Sequence, residues 1–266
     1  MLLSELGDLI ESIRPDPLRR FDQIPMRTED LLRQTGSVVE KLHQKDVVFV
    51  GDYDCASVAL IGQCKILGVM PNCVHIVDFD MRVLHSIRVA FKLLGLEGML
   101  GTTVYNVFDS IPPFLAGSFD WSYANPPYGK FNRGESVWLF IHRGIDFCKS
   151  IGGGTLIIPN DSTRGWTAAN AARIKRVVEE VGGRILQVRG SNHSYFLDDD
   201  PSLRSIEFTL SMEGIDRSLL PWTNARVAHD SMRTFYGRQV APPFPQYIDI
   251  NGTLVFGAKD YEAKAS

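Results

Sequence analysis

From Val47 onward the chain is built of short β-branched runs that end in Gly or a polar residue and alternate with stretches of helical period. Parallel neighbours in a sheet need a connection long enough to hold a helix, so this alternation predicts a parallel sheet with crossover helices. Strands are expected at Val47–Val50, Val74–Val77, Thr103–Val107, Phe119–Tyr123, Gly154–Ile158, Arg184–Val188 and Ile206–Met212. Helices fit between them at Ser57–Leu67, Met81–Leu94, Val137–Lys149 and Ala168–Val181. The inner runs are uniformly apolar, whereas Ile206–Met212 alternates apolar with polar residues. That alternation predicts a strand exposed on one face. The fold class is therefore α/β: an open, seven-stranded, mostly parallel sheet with helices on both faces.

Two flanks differ from this core, giving expected divisions at 1–45, 46–220 and 221–266. The first contains an amphipathic helix over Leu2–Ile13, a joint at Arg14-Pro15-Asp16-Pro17, and a helix over Thr28–Gln44 with Thr28 as its N-cap. After Pro221 the chain is irregular until Tyr247–Phe256, which spells a hairpin around Asn251-Gly252.

With 266 residues and 44% hydrophobic content, the chain has enough apolar material for one large core. Its 28 Lys and Arg against 31 Asp and Glu create no overall field for nucleic acid. Such a polyanion would need a partner subunit or a local basic patch, for which Arg164, Arg173, Lys175, Arg176 and Arg184 are the candidates. A solvated helix face explains these five equally well. Glu5, Asp8 and Glu11 among the leading leucines argue against a secretory signal, and no apolar run reaches the roughly 20 residues needed to cross a bilayer. Cys55, Cys64, Cys73 and Cys148 lack paired spacing, which fits buried thiols in a reducing cytoplasm. No metal site is expected, no membrane is implied, and a homo-oligomer is compatible with the composition.

In open α/β sheets the chemistry gathers beyond the carboxyl ends of the strands. The first strand runs into Gly51-Asp52-Tyr53-Asp54, where Gly51 suits a sharp turn and the acids suit a cationic or hydroxyl-bearing group. The second ends in Asp78-Phe79-Asp80, an acidic position suited to ribose hydroxyls. The third reaches Phe108-Asp109, whose carboxylate suits an adenine amino group. Each acid has a local alternative: Asp52 or Asp54 as a helix cap, Asp80 as the cap of the helix at Met81, Asp109 as a turn former. Three consecutive acidic strand ends favour a nucleoside site. The first turn lacks G-x-G-x-x-G, which argues against a pyrophosphate-bearing cofactor.

After the fourth strand comes Asn125-Pro126-Pro127-Tyr128. Two prolines hold the backbone extended, Asn125 offers an acceptor for an amino N–H, and Tyr128 offers a ring for stacking. These four are the expected reaction centre.

Asn-Pro-Pro-Tyr resembles motif IV of the amino-methyltransferases, in the Rossmann-like class I S-adenosylmethionine methyltransferase superfamily. The remainder resembles the branched-chain polyamine synthases of that superfamily, also called N4-bis(aminopropyl)spermidine synthases. That likeness runs through Phe21-Asp22-Gln23, Gly51-Asp52-Tyr53-Asp54, Ser57-Val58-Ala59-Leu60, Val77-Asp78-Phe79-Asp80, Pro126-Pro127 and Leu139-Phe140-Ile141-His142-Arg143-Gly144. It implies S-adenosylmethionine or its decarboxylated form as donor. The synthases carry Gly-Asp-Asp-Asp in the first turn and usually Asp before Pro-Pro. Tyr53 and Asn125 replace two of those acids here.

The sequence thus points first to an N-methyltransferase acting on a planar amino group, with adenine N6 in nucleic acid as leading target. The alternative is an aminopropyltransferase acting on a polyamine, and a third reading is an idle scaffold subunit. His193 is expected as an ordinary packed residue with acceptor contact as the alternative, and Trp222, Phe235 and Tyr236 are expected to pack the C-terminal segment, with extension of a stacking surface as the alternative.

Overall fold

The computed structural model describes residues 1–196, 203–232, 234–236 and 244–256. Helices α1 (Leu3–Ile13) and α2 (Thr28–Gly36) precede β1 (Asp46–Val50), α3 (Ala56–Leu67), β2 (Cys73–Asp78), α4 (Met81–Leu93) and β3 (Leu100–Val104). Then come β4 (Phe119–Ala124), α5 (Glu135–Phe147), β5 (Cys148–Pro159), α6 (Gly165–Glu180), β6 (Arg184–His193) and β7 (Ser205–Ser211). A small hairpin of β8 (Tyr247–Ile248) and β9 (Leu254–Val255) ends the described chain.

The seven long strands form one sheet in the order β3-β2-β1-β4-β5-β7-β6, with β7 antiparallel to both neighbours. This is the Rossmann-like methyltransferase fold. Winding reverses between β1 and β4, so the loops after these strands face one crevice. Helices α1 to α4 build the core on one face around Val47, Phe49 and Ile76. Helices α5 and α6 build the other around Val48, Leu156 and Ile158. No helix among the described residues is long and apolar enough to cross a membrane.

Several sequence expectations need correction. Strand β3 ends at Val104, because Tyr105 and Asn106 leave the sheet and Asn106 donates to the Pro245 carbonyl at 2.9 Å. Strand β5 begins well before Gly154; a Cβ at Gly153 would lie 2.5 Å from Trp121 Cζ3, so the glycine there makes room for an indole and does not break the strand. Strand β7 is buried along its whole length. Its polar face is covered by the N-terminal segment: Gln34 and Ser37 donate to Glu207 Oε2, and Lys41 donates to Thr209 Oγ1. Those contacts also end α2 early, since the Ser37 hydroxyl donates to the Gln34 carbonyl as well as to Glu207. Thr28 is the first helical residue, preceded by the N-cap Arg27, and its hydroxyl is buried without a partner. In the hairpin, Gly252 N–H donates to the Asp249 carbonyl, and the left-handed Gly252 (φ +82°) completes a turn longer than Asn-Gly alone. The segments 237–243 and 257–266 of the expected C-terminal division lie outside the described residues.

Candidate active site

Gly51 leaves β1 in the left-handed region at φ +70°, and its amide donates to the Val77 carbonyl at 2.8 Å. A side chain there would meet both that backbone restriction and the Phe140 ring, 3.1 Å from an added Cβ. The turn that follows is anchored by its own acids. The Asp52 amide donates to Asp78 Oδ2 at 2.8 Å, while the Asp52 carboxylate accepts from the Ser57 amide at 3.3 and 3.2 Å, in the first turn of α3. With Cys55 N–H bonded to the Asp52 carbonyl, the amides of Gly51, Asp52, Cys55 and Ser57 are all engaged within the protein. Asp54 Oδ1 accepts from the Met26 amide at 2.8 Å, and its Oδ2 accepts from the Asn125 side-chain amide. The first turn is thereby tied to the N-terminal segment and to the loop after β4.

These strand ends open into a common cavity. Gly51, Asp52, Tyr53, Asp54, Asp78, Phe79, Asn125 and Pro127 all line it. Phe79, Tyr105, Tyr123, Phe140, Phe235 and Tyr236 give it an aromatic wall, and residues 21–24 of the N-terminal segment form another side. An aromatic wall beside buried acids fits a nucleoside with a cationic tail.

Other expected residues lie elsewhere. Asp80 is completely buried, caps α4 through the Arg82 amide, pairs with the Arg82 guanidinium at 2.6 Å and accepts from Gln23 Nε2 at 2.9 Å. Phe108 is enclosed in the core by Phe235, Phe244 and His229. Asp109 faces Arg226 at 3.4 Å on the surface. Pro126 is buried outside the lining. Tyr128 sits edge-on to Tyr195 behind the loop, its hydroxyl bonded to that of Tyr195. The Asn170 side chain holds the Tyr128 carbonyl at 3.0 Å. His193 lies against Ser205 on β7, 3.2 Å from Nδ1 to Oγ, and not in the cavity wall.

Burial governs the electrostatics. It pushes Asp52 well above the usual carboxylate range against the opposing Ser57 hydrogen bonds. It raises Asp54, opposed by the nearby Arg14 guanidinium, and with the help of the neighbouring Asp80 charge it lifts Asp78 to about 7. The cavity floor therefore concentrates carboxylates that a cation or a hydroxyl donor would stabilise. The surface basic residues each lie within ion-pair distance of an acid. Arg164 pairs with Asp161, Arg173 with Glu135, Lys175 with Glu179, Arg176 with Glu180 and Arg184 with Glu213.

A family model for the branched-chain polyamine synthase A C-terminal domain matches residues 6–225. The chain belongs to that family. The match includes the acidic first turn, the Asp78 strand end and Asn125-Pro126-Pro127, and stops before Phe235 and Tyr236. A Thermus thermophilus branched-chain polyamine synthase, solved with N4-aminopropylspermidine and 5′-methylthioadenosine, is similar in structure. It gives a TM-score of 0.67 at 22% identity, covering 84% of this chain and 67% of that one. Its C9 mutein with the same two molecules gives 0.69 at 21%, covering 89% and 70%. A candidate RNA methyltransferase from Pyrococcus horikoshii gives 0.58 at 12%, covering 78% and 98%. No curated protein matches the chain in a sequence search.

Sequence reasoning left Tyr105, Asn106, Tyr123 and Phe140 out of the site and gave Phe235 and Tyr236 a stacking role only as the alternative to packing. Tyr123 and Phe140 carry ordinary strand and helix signals. Phe235 and Tyr236 lie in an irregular segment whose return to the strand ends is fixed by the Ile248 amide donating to the Phe79 carbonyl and the Val227 amide donating to the Phe108 carbonyl. Only the Phe21-Asp22-Gln23 resemblance hinted at the N-terminal wall.

Proposed function

We propose that this protein transfers an aminopropyl group from decarboxylated S-adenosylmethionine to an amine nitrogen held at Asn125, with a polyamine as acceptor. The observation that carries this reading is the carboxylate of Asp52 on the amide of Ser57. The N-terminus of a helix in the first βα turn is where a donor carboxylate would find free amides and a favourable dipole. Here that place is filled by the protein's own acid, with Asp54 beside it. An intact donor would bring its carboxylate against two others, whereas the decarboxylated donor brings only positive charge. Family membership supports the same direction.

The donor supplies an electrophilic carbon beside a sulfonium. Asp78, which lines the cavity and is held there by the backbone amides of Asp52 and Asp80, would accept from the ribose hydroxyls through its remaining lone pairs. Phe79, Phe140 and Tyr236 would flank the base. Asn125 Oδ1 would orient the attacking nitrogen, and the Pro126-Pro127 backbone would keep it in place.

Methylation of adenine N6 in nucleic acid is the second reading, favoured by Asn125 in place of an acid. The ion-paired state of all five candidate phosphate contacts weighs against it. Calorimetry with both donors, followed by chromatography of the released thioether, separates the readings. Methylthioadenosine formed with spermidine supports aminopropyl transfer. S-adenosylhomocysteine formed with an adenine oligonucleotide supports methylation. Binding of neither donor supports an idle scaffold.

A further inference from the structure

Helix α3 is apolar nearly all round, and every residue from Ala56 to Cys64 is buried. Part of that cover is α1: Leu6 lies so close to Gly62 that an added Cβ there would come within 2.5 Å of Leu6 Cδ1. The cover then runs out. Ile66 and Leu67 in the last turn are as apolar as the turns before them, yet both are exposed, Leu67 to 63%. A helix that is apolar all round belongs in an interior, so this uncovered turn calls for an occupant.

Two neighbouring helices bring apolar residues to the same place. Just beyond α1, Arg14 donates to the Asp54 carbonyl ahead of α3, and the Asp16 carbonyl accepts from Arg82 at the start of α4. Helix α1 therefore runs antiparallel to both, and its first residues lie at the ends of α3 and α4. Lys65 Nζ donates to the Leu94 carbonyl and joins those two ends. Leu2 and Leu3, 67% and 51% exposed, and Val89 and Leu93, 38% and 68% exposed, thus extend the patch begun by Ile66 and Leu67. Apolar patches beyond about 300–600 Å² are uncommon on monomers, and a standard interface takes about 800 Å² from each partner. Six aliphatic side chains this open reach the upper part of the first range, and a charged rim supplies the rest. The patch lies at the amino ends of β2 and β3, into which α3 and α4 lead, and so at the far end of the sheet from the cavity.

The rim carries both signs of charge on different helices. Glu5 and Asp8 make α1 acidic, Arg88 and Lys92 make α4 basic, and all four are exposed. Glu5 faces its own N-terminus at 3.9 Å, and among the described residues no ion pair joins the acids of α1 to the bases of α4. We propose that this end of the molecule is the interface of a twofold homodimer, with α1 of each copy against α4 of the other. In a twofold interface every contact is made twice with the roles exchanged, so one acidic and one basic helix become two matched contacts around an apolar centre. An unlike partner would have to reproduce both the apolar centre and the opposed charges, which a second copy already carries. The dimer leaves both cavities open at its outer ends and does not depend on which group the protein transfers.

Sedimentation velocity of the full chain over roughly 1–100 μM is the test, a range that suits an interface of this size. The wild type should be dimeric at the top of the range. Leu67→Ser with Leu93→Ser changes two side chains already open to solvent and should weaken dimerisation by at least about a hundredfold, since a few central residues carry most of an interface's affinity. Charge reversal reads the symmetry. A chain with Glu5→Lys and Asp8→Lys should not self-associate, nor should one with Arg88→Glu and Lys92→Glu, because each sets like charges across the twofold axis. Mixed together, the two chains should form a heterodimer, a rescue that a mere loss of folding cannot produce. A wild type that stays monomeric throughout overturns the proposal and leaves the patch to an unlike partner. A dimer of wild-type affinity in the serine pair also overturns it, by placing the interface on another face. Reversed chains that stay monomeric when mixed overturn the twofold pairing of α1 with α4.

Discussion

Asn125 donates its side-chain amide to Asp54 Oδ2, and this bond decides which end of the carboxamide is left toward the cavity. With nitrogen turned to Asp54, Oδ1 is left toward Tyr128 and the cavity. Asp54 Oδ1 meanwhile holds the Met26 amide, so one carboxylate joins the N-terminal wall, the first turn and the reaction loop. The residue pair also explains how Asn can stand where the polyamine synthases usually carry Asp: it supplies a donor to a buried acid that Asp would repel.

Asn125→Asp should accordingly destabilise the free protein by about 1–3 kcal/mol, the usual loss when a buried acceptor is deprived of its donor. A polyamine ammonium bridging the two carboxylates should restore much of that stability. Thermal melts with and without spermidine check this. Equal destabilisation in both would remove the cationic acceptor from this place.

Asp78 gives a dependence on pH with opposite signs for folding and binding. Its folded pKa of about 7 lies above the ordinary carboxylate value of 3.8, so its contribution to stability is fully present below about pH 4 and is lost as pH rises through about 7. Urea unfolding should show that decline in the wild type and not in Asp78→Asn. Ribose hydroxyls donate to the ionised form, so the Kd for 5′-methylthioadenosine should fall over the same rise in pH. Asp78→Asn should bind at least about tenfold more weakly, with no pH dependence from this group. Wild-type affinity in the variant would take Asp78 out of the site.

The sheet and its order of chemistry were readable from the alternation of β-branched runs, because inner strands buried on both faces have few other compositions. What escaped depends on contacts distant in sequence. Asp78 and Asp80 are two residues apart, and only the positions of Arg82 and Gln23 assign one to the cap and leave the other at the cavity. The alternation in Ile206–Met212 marked polar residues correctly but not their cover, which comes from Gln34, Ser37 and Lys41. Tyr128 carried the sign of a stacking ring, yet its hydroxyl partner Tyr195 is 67 residues away.

Arg143 ties the C-terminal segment to the sheet. Completely buried, it donates to the carbonyls of Val107, Trp222 and Ala225 at 2.8, 2.9 and 2.8 Å and faces Asp146 at 3.3 Å. Arg143→Ala should cost about 3–5 kcal/mol, as expected for removing one member of a buried ion pair. Arg143→Lys should fail to rescue, since an ammonium lacks the fork that serves three carbonyls. The loosened segment carries Phe235 and Tyr236, so donor affinity should fall with stability. Urea titration and calorimetry on the lysine variant check both. Wild-type values would mean the guanidinium geometry is not what holds the segment.

The donor's tail is tested most directly at Asp52. Its side chain both holds the Ser57 amide at the start of α3 and lines the cavity, where a bound cation would favour its ionised form, and a substitution must separate these roles. Asp52→Asn keeps an oxygen at the same reach for the Ser57 amide, so melting temperature should change little. The charge is lost, however, and with it the repulsion of an intact donor's carboxylate. Preference for decarboxylated over intact S-adenosylmethionine should shrink by at least about tenfold, mainly through tighter binding of the intact form, because the specificity lies in a repulsive element. Competition calorimetry of the two donors measures the ratio. If both donors lose affinity equally, Asp52 contributes only general attraction for cations, and the choice of donor must be made elsewhere in the cavity.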